Sequence, residues 1–367
     1  MRIGIDARLW SETGVGRYIR ALVEYLPQLD SKNEYVIFLR EREYADLELP
    51  NEKWQKKLAN VSWHSLEEQL KLPEIYAQAH LDLVHIPYFS VPIFIRTPYV
   101  VTIHDLTISH FPTGLASTKS SFNYWFKYVG YRAVLGQAVR KARKIITVSE
   151  AVKKQIRHDF NLPTTKIAVT YESGELETGK ATADPKMPQK YLLYVGNAYP
   201  HKNLSLLIEA FFELRQKFTD LSLVLIGKDD FFYQRLQKQV KGLGLEKQVL
   251  FPGSVANGEL INWYKRALAL VFPSLAEGFG IPGLEAMSLG CPVAASDLVV
   301  FREIYAEAVL YFDPKRASSI KDTVDQLIGD EELRRKLITA GKMQAKKYTW
   351  EKMTAETIKI YETSAGI

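Results

Sequence analysis

Short apolar runs, often β-branched, recur along this chain, and each is followed by a longer stretch with helical spacing of apolar and polar positions. In the first half the runs fall at residues 2–5, 35–39, 81–86, 99–103 and 144–148. In the second half they fall at 191–195, 222–226, 248–251, 269–272, 292–295 and 309–312. Runs this short and this uniformly apolar predict strands covered on both faces, hence parallel sheets joined by crossover helices. The clearest helices are predicted at 204–217, 231–243 and 283–289. One stretch breaks the rhythm: residues 172–190, ESGELETGKATADPKMPQK, are polar and nearly free of large apolar side chains. That composition predicts a linker. The expected organisation is a first α/β domain over 1–171, the linker 172–190, a second over 191–349, and a closing segment 350–367. Each half reads as a doubly wound sheet, which receives ligands at the carboxyl ends of its strands.

The length of 367 residues fits two cores better than one. With 47% apolar and 25% charged residues the composition is that of an ordinary globular protein. The single cysteine, Cys291, excludes a disulfide framework. Asp6 and Arg8 stand where a secretory signal needs its apolar stretch. The most apolar region, 84–103, is broken by Pro87, Pro92, Arg96 and Pro98 and predicts no membrane span. The expected location is cytoplasmic.

The net charge of +6 is unevenly placed: Lys119 to Phe160 carries ten Lys/Arg against Glu150 and Asp159.

Four segments bear candidate chemistry. Residues 273–297, PSLAEGFGIPGLEAMSLGCPVAASD, leave a strand through a glycine-rich turn and enter a helix with Pro282 in its first turn. The free N–H groups of such a helix start suit a diphosphate. Glu277 precedes the helix and Glu285 lies one turn inside it. Residues 194–211, YVGNAYPHKNLSLLIEAF, pass from a strand into a helix and carry Asn197, His201 and Lys202. Residues 5–22, IDARLWSETGVGRYIRAL, place Gly14 and Gly16 between the first strand and first helix, where missing side chains admit a phosphate or sugar. A dinucleotide fingerprint needs a third glycine at position 19, which is Ile19, so an oxidoreductase reading fails. Finally, VVTIHDLTISHFP ends a strand with His104 and Asp105.

The two glutamates separated by seven residues, in the setting EGFGIPGLEAM, resemble those of the retaining family 4 glycosyltransferases of GT-B fold. The PHKNL version of the second motif resembles a subgroup rich in mannosyltransferases. The resemblance spans the chain, tightly in the second half and more loosely in the first. It implies two Rossmann-like domains facing an interdomain cleft, with residues 350–367 as a helix crossing back to the first. It implies that Glu277 holds the donor sugar, Glu285 the ribose and Lys202 the leaving diphosphate, with Phe279, Gly280 and Ile281 at the helix entrance. His104 contacts the sugar, Gly14 and Gly16 line the donor site, and Val255 and Asn257 receive the base. Many relatives carry Arg at the positions of Asn197 or His201, so Lys202 is the main cation here.

The implied catalytic set is Glu277, His104 and Lys202, and the implied donor is a hexosyl nucleotide, GDP-mannose by subgroup. No D-x-D triplet occurs, so neither a catalytic metal nor a cofactor is expected beyond the sugar nucleotide itself. The acceptor is expected to be a glycan or a lipid-linked saccharide of the cell envelope. A non-hydrolysing sugar-nucleotide epimerase and a non-catalytic sugar-nucleotide-binding module remain open at this point.

From Lys119 to Lys144 there are seven Lys/Arg and no acidic residue, interleaved with Phe122, Tyr124, Trp125, Phe126, Tyr128 and Tyr131. Phe122, Trp125, Phe126, Val129 and Ala133 recur at helical spacing, which by itself predicts a core-facing helix with a solvated basic side. The charge excess gathered here and the apolar loop PYFSVPIFIRTP nearby point instead to docking on an anionic membrane surface. Nothing else in the chain resembles a nucleic-acid module.

Overall fold

The computed structural model describes residues 1–111, 121–176 and 187–365, and between 121 and 127 only the side chain of Trp125. The chain divides into two compact units, one comprising Met1–Glu172 and Trp350–Ile367, the other Ser173–Thr349.

In unit 1 the strands are β1 (Arg2–Asp6), β2 (Glu34–Leu39), β3 (Trp54–Leu58), β4 (Leu83–Ile86), β5 (Tyr99–Ile103), β6 (Lys144–Thr147) and β7 (Ile167–Val169). Its helices are α1 (Gly14–Leu29), α2 (Glu41–Asp46), α3 (Leu66–Ala77), α4 (Thr107–His110), α5 (Ser121–Lys141), α6 (Glu150–Phe160) and, at the far end of the chain, α14 (Trp350–Ala365). All strand pairs are parallel, in the order β3-β2-β1-β4-β5-β6-β7. Ile5 sits level with Ile37 on one side and His85 on the other. Val36, Phe38, Val84, Val101 and Ile145 from the strands pack with Leu135 and Val139 of α5 in one core. α1 buries Tyr18, Ile19, Leu22 and Leu26, one helical face, and α14 lies against it. Serine side chains cap α3 and α6: Ser65 Oγ accepts from Glu68 N and Ser149 Oγ from Val152 N.

Unit 2 contains β8 (Tyr191–Val195), β9 (Ser222–Ile226), β10 (Val249–Gly253), β11 (Ala269–Phe272), β12 (Val293–Ser296) and β13 (Leu310–Phe312). Between and after them run α7 (Leu204–Leu214), α8 (Phe231–Gly242), α9 (Asn257–Arg266), α10 (Ile281–Ser288), α11 (Val299–Tyr305), α12 (Ala317–Gly329) and α13 (Glu331–Ala345). This sheet is also parallel, in the order β10-β9-β8-β11-β12-β13. In both units strand order reverses beside the first strand, between β1 and β4 and between β8 and β11. A crevice opens at such a reversal because adjacent crossovers leave to opposite faces.

Two strands depart from the sequence expectation. β3 (WQKKL) is polar because it is the outer edge of its sheet, and β7 is a three-residue edge. The polar stretch at 172–190 is not a linker at its start, since Glu172, Ser173 and Gly174 are all buried. A Cβ on Gly174 would lie 2.5 Å from the backbone of Leu284, so the chain runs pressed against α10. Residues 177–186 lie outside the described residues. No described helix is long and apolar enough to cross a membrane.

Candidate functional site

In unit 2 the reversal between β8 and β11 gathers the glycine-rich and PHKN segments. After β8 the backbone turns through Gly196, whose φ of +148° only glycine tolerates well. Two tyrosine hydroxyls hold that turn, Tyr194 donating to the Asn197 carbonyl and Tyr233 to the Gly196 carbonyl, both at 2.7 Å. A short 3-10 turn, Pro200–Lys202, follows. The backbone N–H of Leu275 donates to the His201 carbonyl at 2.7 Å, tying the loop after β11 to the loop after β8. Asn203 reinforces the tie by donating to the Pro273 and Pro314 carbonyls.

This frame delivers Lys202 Nζ to within 2.6 Å of Glu277 Oε1. The same carboxylate oxygen accepts from Ser274 Oγ at 2.7 Å. Lys202 and Glu277 are shielded but not sealed, their side chains 14% and 12% exposed. Just beyond, Gly280 caps α10 with φ of +101°. Tyr305 OH donates to the Gly280 carbonyl at 2.5 Å and fills the space where a Cβ on Gly280 or Gly283 would stand. Phe279 is buried against Tyr348, and Ile281 and Pro282 open the helix. A cation, an adjoining carboxylate and a set of helix-start N–H groups thus adjoin one another at the carboxyl ends of β8 and β11. Such a set is chemically able to bind a phosphorylated ligand.

Glu285, one turn into α10, is 1% exposed and accepts from Tyr264 OH of α9 at 2.6 Å. His201 stacks on Tyr199 with ring centroids 6.0 Å apart. Val255 and Asn257 lie beyond β10, at the loop and first residue of α9, half-buried.

Unit 1 holds the remaining candidates. Gly14 and Gly16 do not precede α1 as expected but form its first turn. At Gly16 a Cβ would lie 2.6 Å from the Trp10 carbonyl, so the helix folds back onto its own loop there. Nothing lies within 4 Å of the corresponding point at Gly14, which leaves its backbone approachable.

Beneath this loop is a closed ionic cluster. Arg8 holds Asp6 in a two-point bond (2.9 and 2.8 Å) and reaches Glu68 at 2.8 Å. Tyr76 OH donates to Asp6, and Ser90 OH and the His64 N–H donate to Glu68. Burial works against the charge on Arg8, but Asp6 and Glu68 outweigh it and raise its pKa further.

His104 follows β5. Its Nδ1 lies 3.0 Å from Glu172 Oε1 and its Nε2 3.1 Å from the Pro87 carbonyl. Tyr18 packs perpendicular to it at 5.1 Å. Burial lowers the pKa of His104, and the bond to Glu172 more than reverses this, for a net rise. His85, one strand away, contrasts with it. Its nitrogens meet the Tyr361 and Thr102 hydroxyls at 2.6 and 2.7 Å, and burial drives its pKa down to about 3.

Comparisons with known proteins identify the family. A model described as "Glycosyl transferases group 1" matches residues 178–344, and one described as "Glycosyltransferase Family 4" matches residues 13–172. The chain belongs to the family 4 glycosyltransferases.

This glycosyltransferase is 29% identical over 274 residues to the O-antigen chain mannosyltransferase RfbU of Salmonella typhimurium, covering 74% of this chain and 72% of that one. It is 28% identical to the O-antigen chain mannosyltransferase B of Escherichia coli, covering 95% and 96%. Among solved structures it is similar to a sucrose-phosphate synthase from Thermosynechococcus elongatus, with a TM-score of 0.79 at 18% identity and coverage of 99% and 98%. The fold is GT-B.

The sequence did not reveal every group around these residues. Ser274, Tyr264 and Tyr305 place Glu277, Glu285 and the start of α10, yet each reads in the sequence as an ordinary core or loop residue. Glu172 falls in a polar stretch that reads in the sequence as a linker. The one available signal was its position three residues past a strand, at the end where ligands gather.

Proposed function

We propose that this glycosyltransferase moves a mannosyl group from GDP-mannose to a glycan or lipid-linked acceptor of a cell-envelope polysaccharide, with retention at the anomeric carbon. The observation that carries the reading is the Lys202–Glu277 pair beside the start of α10. In this reading Lys202 leaves Glu277 for the donor diphosphate and, with the helix N–H groups, takes up the charge that develops as the sugar departs. The C1–O bond to phosphate breaks, the acceptor oxygen bonds to C1 on the same face, and the acceptor proton passes to the leaving phosphate. Glu277, kept in place by Ser274, orders the hydroxyls of the sugar. Glu285 serves the ribose, Val255 and Asn257 the base, Asn197, His201, Gly14 and Gly16 complete the donor contacts, and His104 acts on the charge that develops as the sugar departs. The mannosyl choice is supported by the two O-antigen mannosyltransferase relatives.

The test is a panel of sugar nucleotides. GDP-mannose at a hundred times its Kd stabilises the protein by about 2.7 kcal/mol, and GDP is released only when an acceptor saccharide is added. Stabilisation by UDP-sugars alone overturns the donor, and inversion at C1, read by NMR of the product, overturns retention. Excess chelator leaves the rate unchanged, because cations of the chain itself hold the diphosphate. Loss restored by magnesium or manganese contradicts that.

We further propose that α5 rests on an anionic membrane surface that presents the acceptor. Trp125, Val129 and Ala133 stand exposed along one stripe of α5, with Arg132 and Arg140 exposed nearby. Lys119 lies outside the described residues, as do the side chains of Phe122, Tyr124, Phe126 and Lys127. Several basic residues at about 1 kcal/mol each give reversible attachment. Co-sedimentation with vesicles rises with anionic lipid and falls with salt. Equal binding to neutral vesicles defeats the proposal.

A further inference from the structure

His104 is held from both sides by atoms that only accept hydrogen bonds. A backbone carbonyl carries no proton, and an ionised carboxylate carries none. For Pro87 O and Glu172 Oε1 both to be bonded, at 3.1 and 3.0 Å, both ring nitrogens must bear hydrogen. We infer that Glu172 is a positioning residue of the transferase, which keeps His104 an imidazolium at neutral pH at the carboxyl end of β5, where it acts through its charge and not by exchanging a proton. The inference deepens the proposed function, since it rests on the reading that His104 serves the donor.

The competing arrangement places the shared proton on Glu172 and leaves the ring neutral. An ordinary histidine holds its proton about two pH units above an ordinary glutamate, so the proton belongs on the ring. The surroundings agree. Asp105 adds negative charge from the next position along the chain. Tyr18, packed across the ring, keeps its proton because burial raises its pKa to about 12. His85, the other ionisable ring nearby, is neutral and adds no competing charge. The ring also has little freedom to turn, since Tyr18 is itself bonded to Thr102.

This assignment changes the role of His104. With both N–H groups committed to the protein, it has none left for a sugar hydroxyl in this arrangement, and a cation fixed in place stabilises a developing negative charge without reorganising. It also explains why a glutamate stands in a segment whose composition reads as a linker. The chain leaves unit 1 at Glu172, and its last residue there carries the counter-charge of the ring.

The experiment is histidine NMR on the full chain, labelled at the ring nitrogens, with His104→Gln identifying the signal among seven histidines. In the unaltered protein His104 shows two protonated nitrogens at pH 7.5, where an ordinary histidine is neutral. In Glu172→Gln its titration moves down to or below the ordinary histidine range, and Glu172→Asp restores part of the difference. With GDP-mannose and acceptor, Glu172→Gln lowers kcat by about 10²-fold at pH 7.5, leaves KM for the donor within about twofold, and regains rate as the pH is lowered. A neutral His104 at pH 7.5 in the unaltered protein overturns the inference, and so does an unmoved titration in Glu172→Gln. The spectra of the unaltered protein decide the charge even if Glu172→Gln does not fold. They also decide it if the transferred sugar is not mannose, so a failure of the donor reading remains distinguishable.

Discussion

The two units share one plan, a parallel sheet whose order reverses beside its first strand, yet they place charge at that reversal differently. Unit 1 seals it. Arg8, Asp6 and Glu68 form a cluster at most 5% exposed, bonded to one another, to Tyr76 and to Ser90. Unit 2 leaves it ajar: Lys202 and Glu277 are paired with one another and still reachable by solvent. A sealed ionic cluster cannot exchange partners without leaving a bare charge in a medium of low polarity, so it fixes geometry. A shielded but open pair can trade one partner for a phosphate at little cost. The charges of unit 1 therefore fix the shape of their loop, and those of unit 2 stay able to meet a ligand.

The contrast is broken most severely at Arg8. Arg8→Met leaves Asp6 and Glu68 buried together without their cation and is expected to cost about 3–5 kcal/mol of stability. A denaturant midpoint close to that of the unaltered protein removes the claim that the cluster is sealed.

Lys202→Ala tests the other half. Its expected cost is functional, a fall of about 10²–10³-fold in kcat/KM for the donor, with a denaturation midpoint that hardly moves. A large stability loss at unchanged rate would reassign Lys202 to structure.

A smaller effect is expected where unit 2 does seal a carboxylate. Tyr264→Phe removes the hydroxyl bonded to Glu285, with an expected loss of about 1.5–3 kcal/mol. Donor affinity falls along with stability if Glu285 also serves the ribose. Isothermal titration with the nucleotide diphosphate separates the two.

The last effect is absent near neutrality and concerns pH. His85 is neutral in the native state, burial pushing its pKa down to about 3 from the ordinary histidine value of 6.5. From pH 6.5 down towards 3 the unfolded chain takes a proton that the native state refuses, so stability declines as the pH falls through that window. His85→Gln should flatten the decline in acid denaturation curves. His104 has the opposite sign, its pKa being raised in the native state. Its contribution is complete below pH 6.5 and lost as pH rises through its native value. Substitution at His85 with no change in the acid limb would show that other groups govern it.

The central strands were legible because a strand covered on both faces is an unbroken apolar word, as in LVLI of β9 or ALVF of β11. The edges of the unit 1 sheet were not, since WQKKL is mostly polar and IAV is only three residues long. The start of α1 was misplaced because glycines usually mark a turn, whereas Gly16 is small to let the helix meet the Trp10 carbonyl. Glu172 was hidden for a related reason. Its partner His104 lies 68 positions away in the chain, and composition says nothing about a bond of that span. In unit 2, Lys202, Glu277 and Glu285 stood out by motif, but the hydroxyls of Tyr264 and Tyr305 did not. A buried tyrosine has the same apolar spacing as a phenylalanine, and only the fold shows which carbonyl or carboxylate its oxygen meets.

Helix α14 has a consequence for the order in which the chain acquires structure. It packs on α1 and sends Tyr361 to bond His85 at the centre of the unit 1 sheet, yet the whole of unit 2 is encoded between it and the rest of its own unit. On the ribosome, residues 173–349 emerge with every strand of their sheet while unit 1 still lacks a wall. Residues 173–349 can therefore fold before unit 1 is complete, and unit 1 must wait, with His85 uncovered, for α14 to be translated.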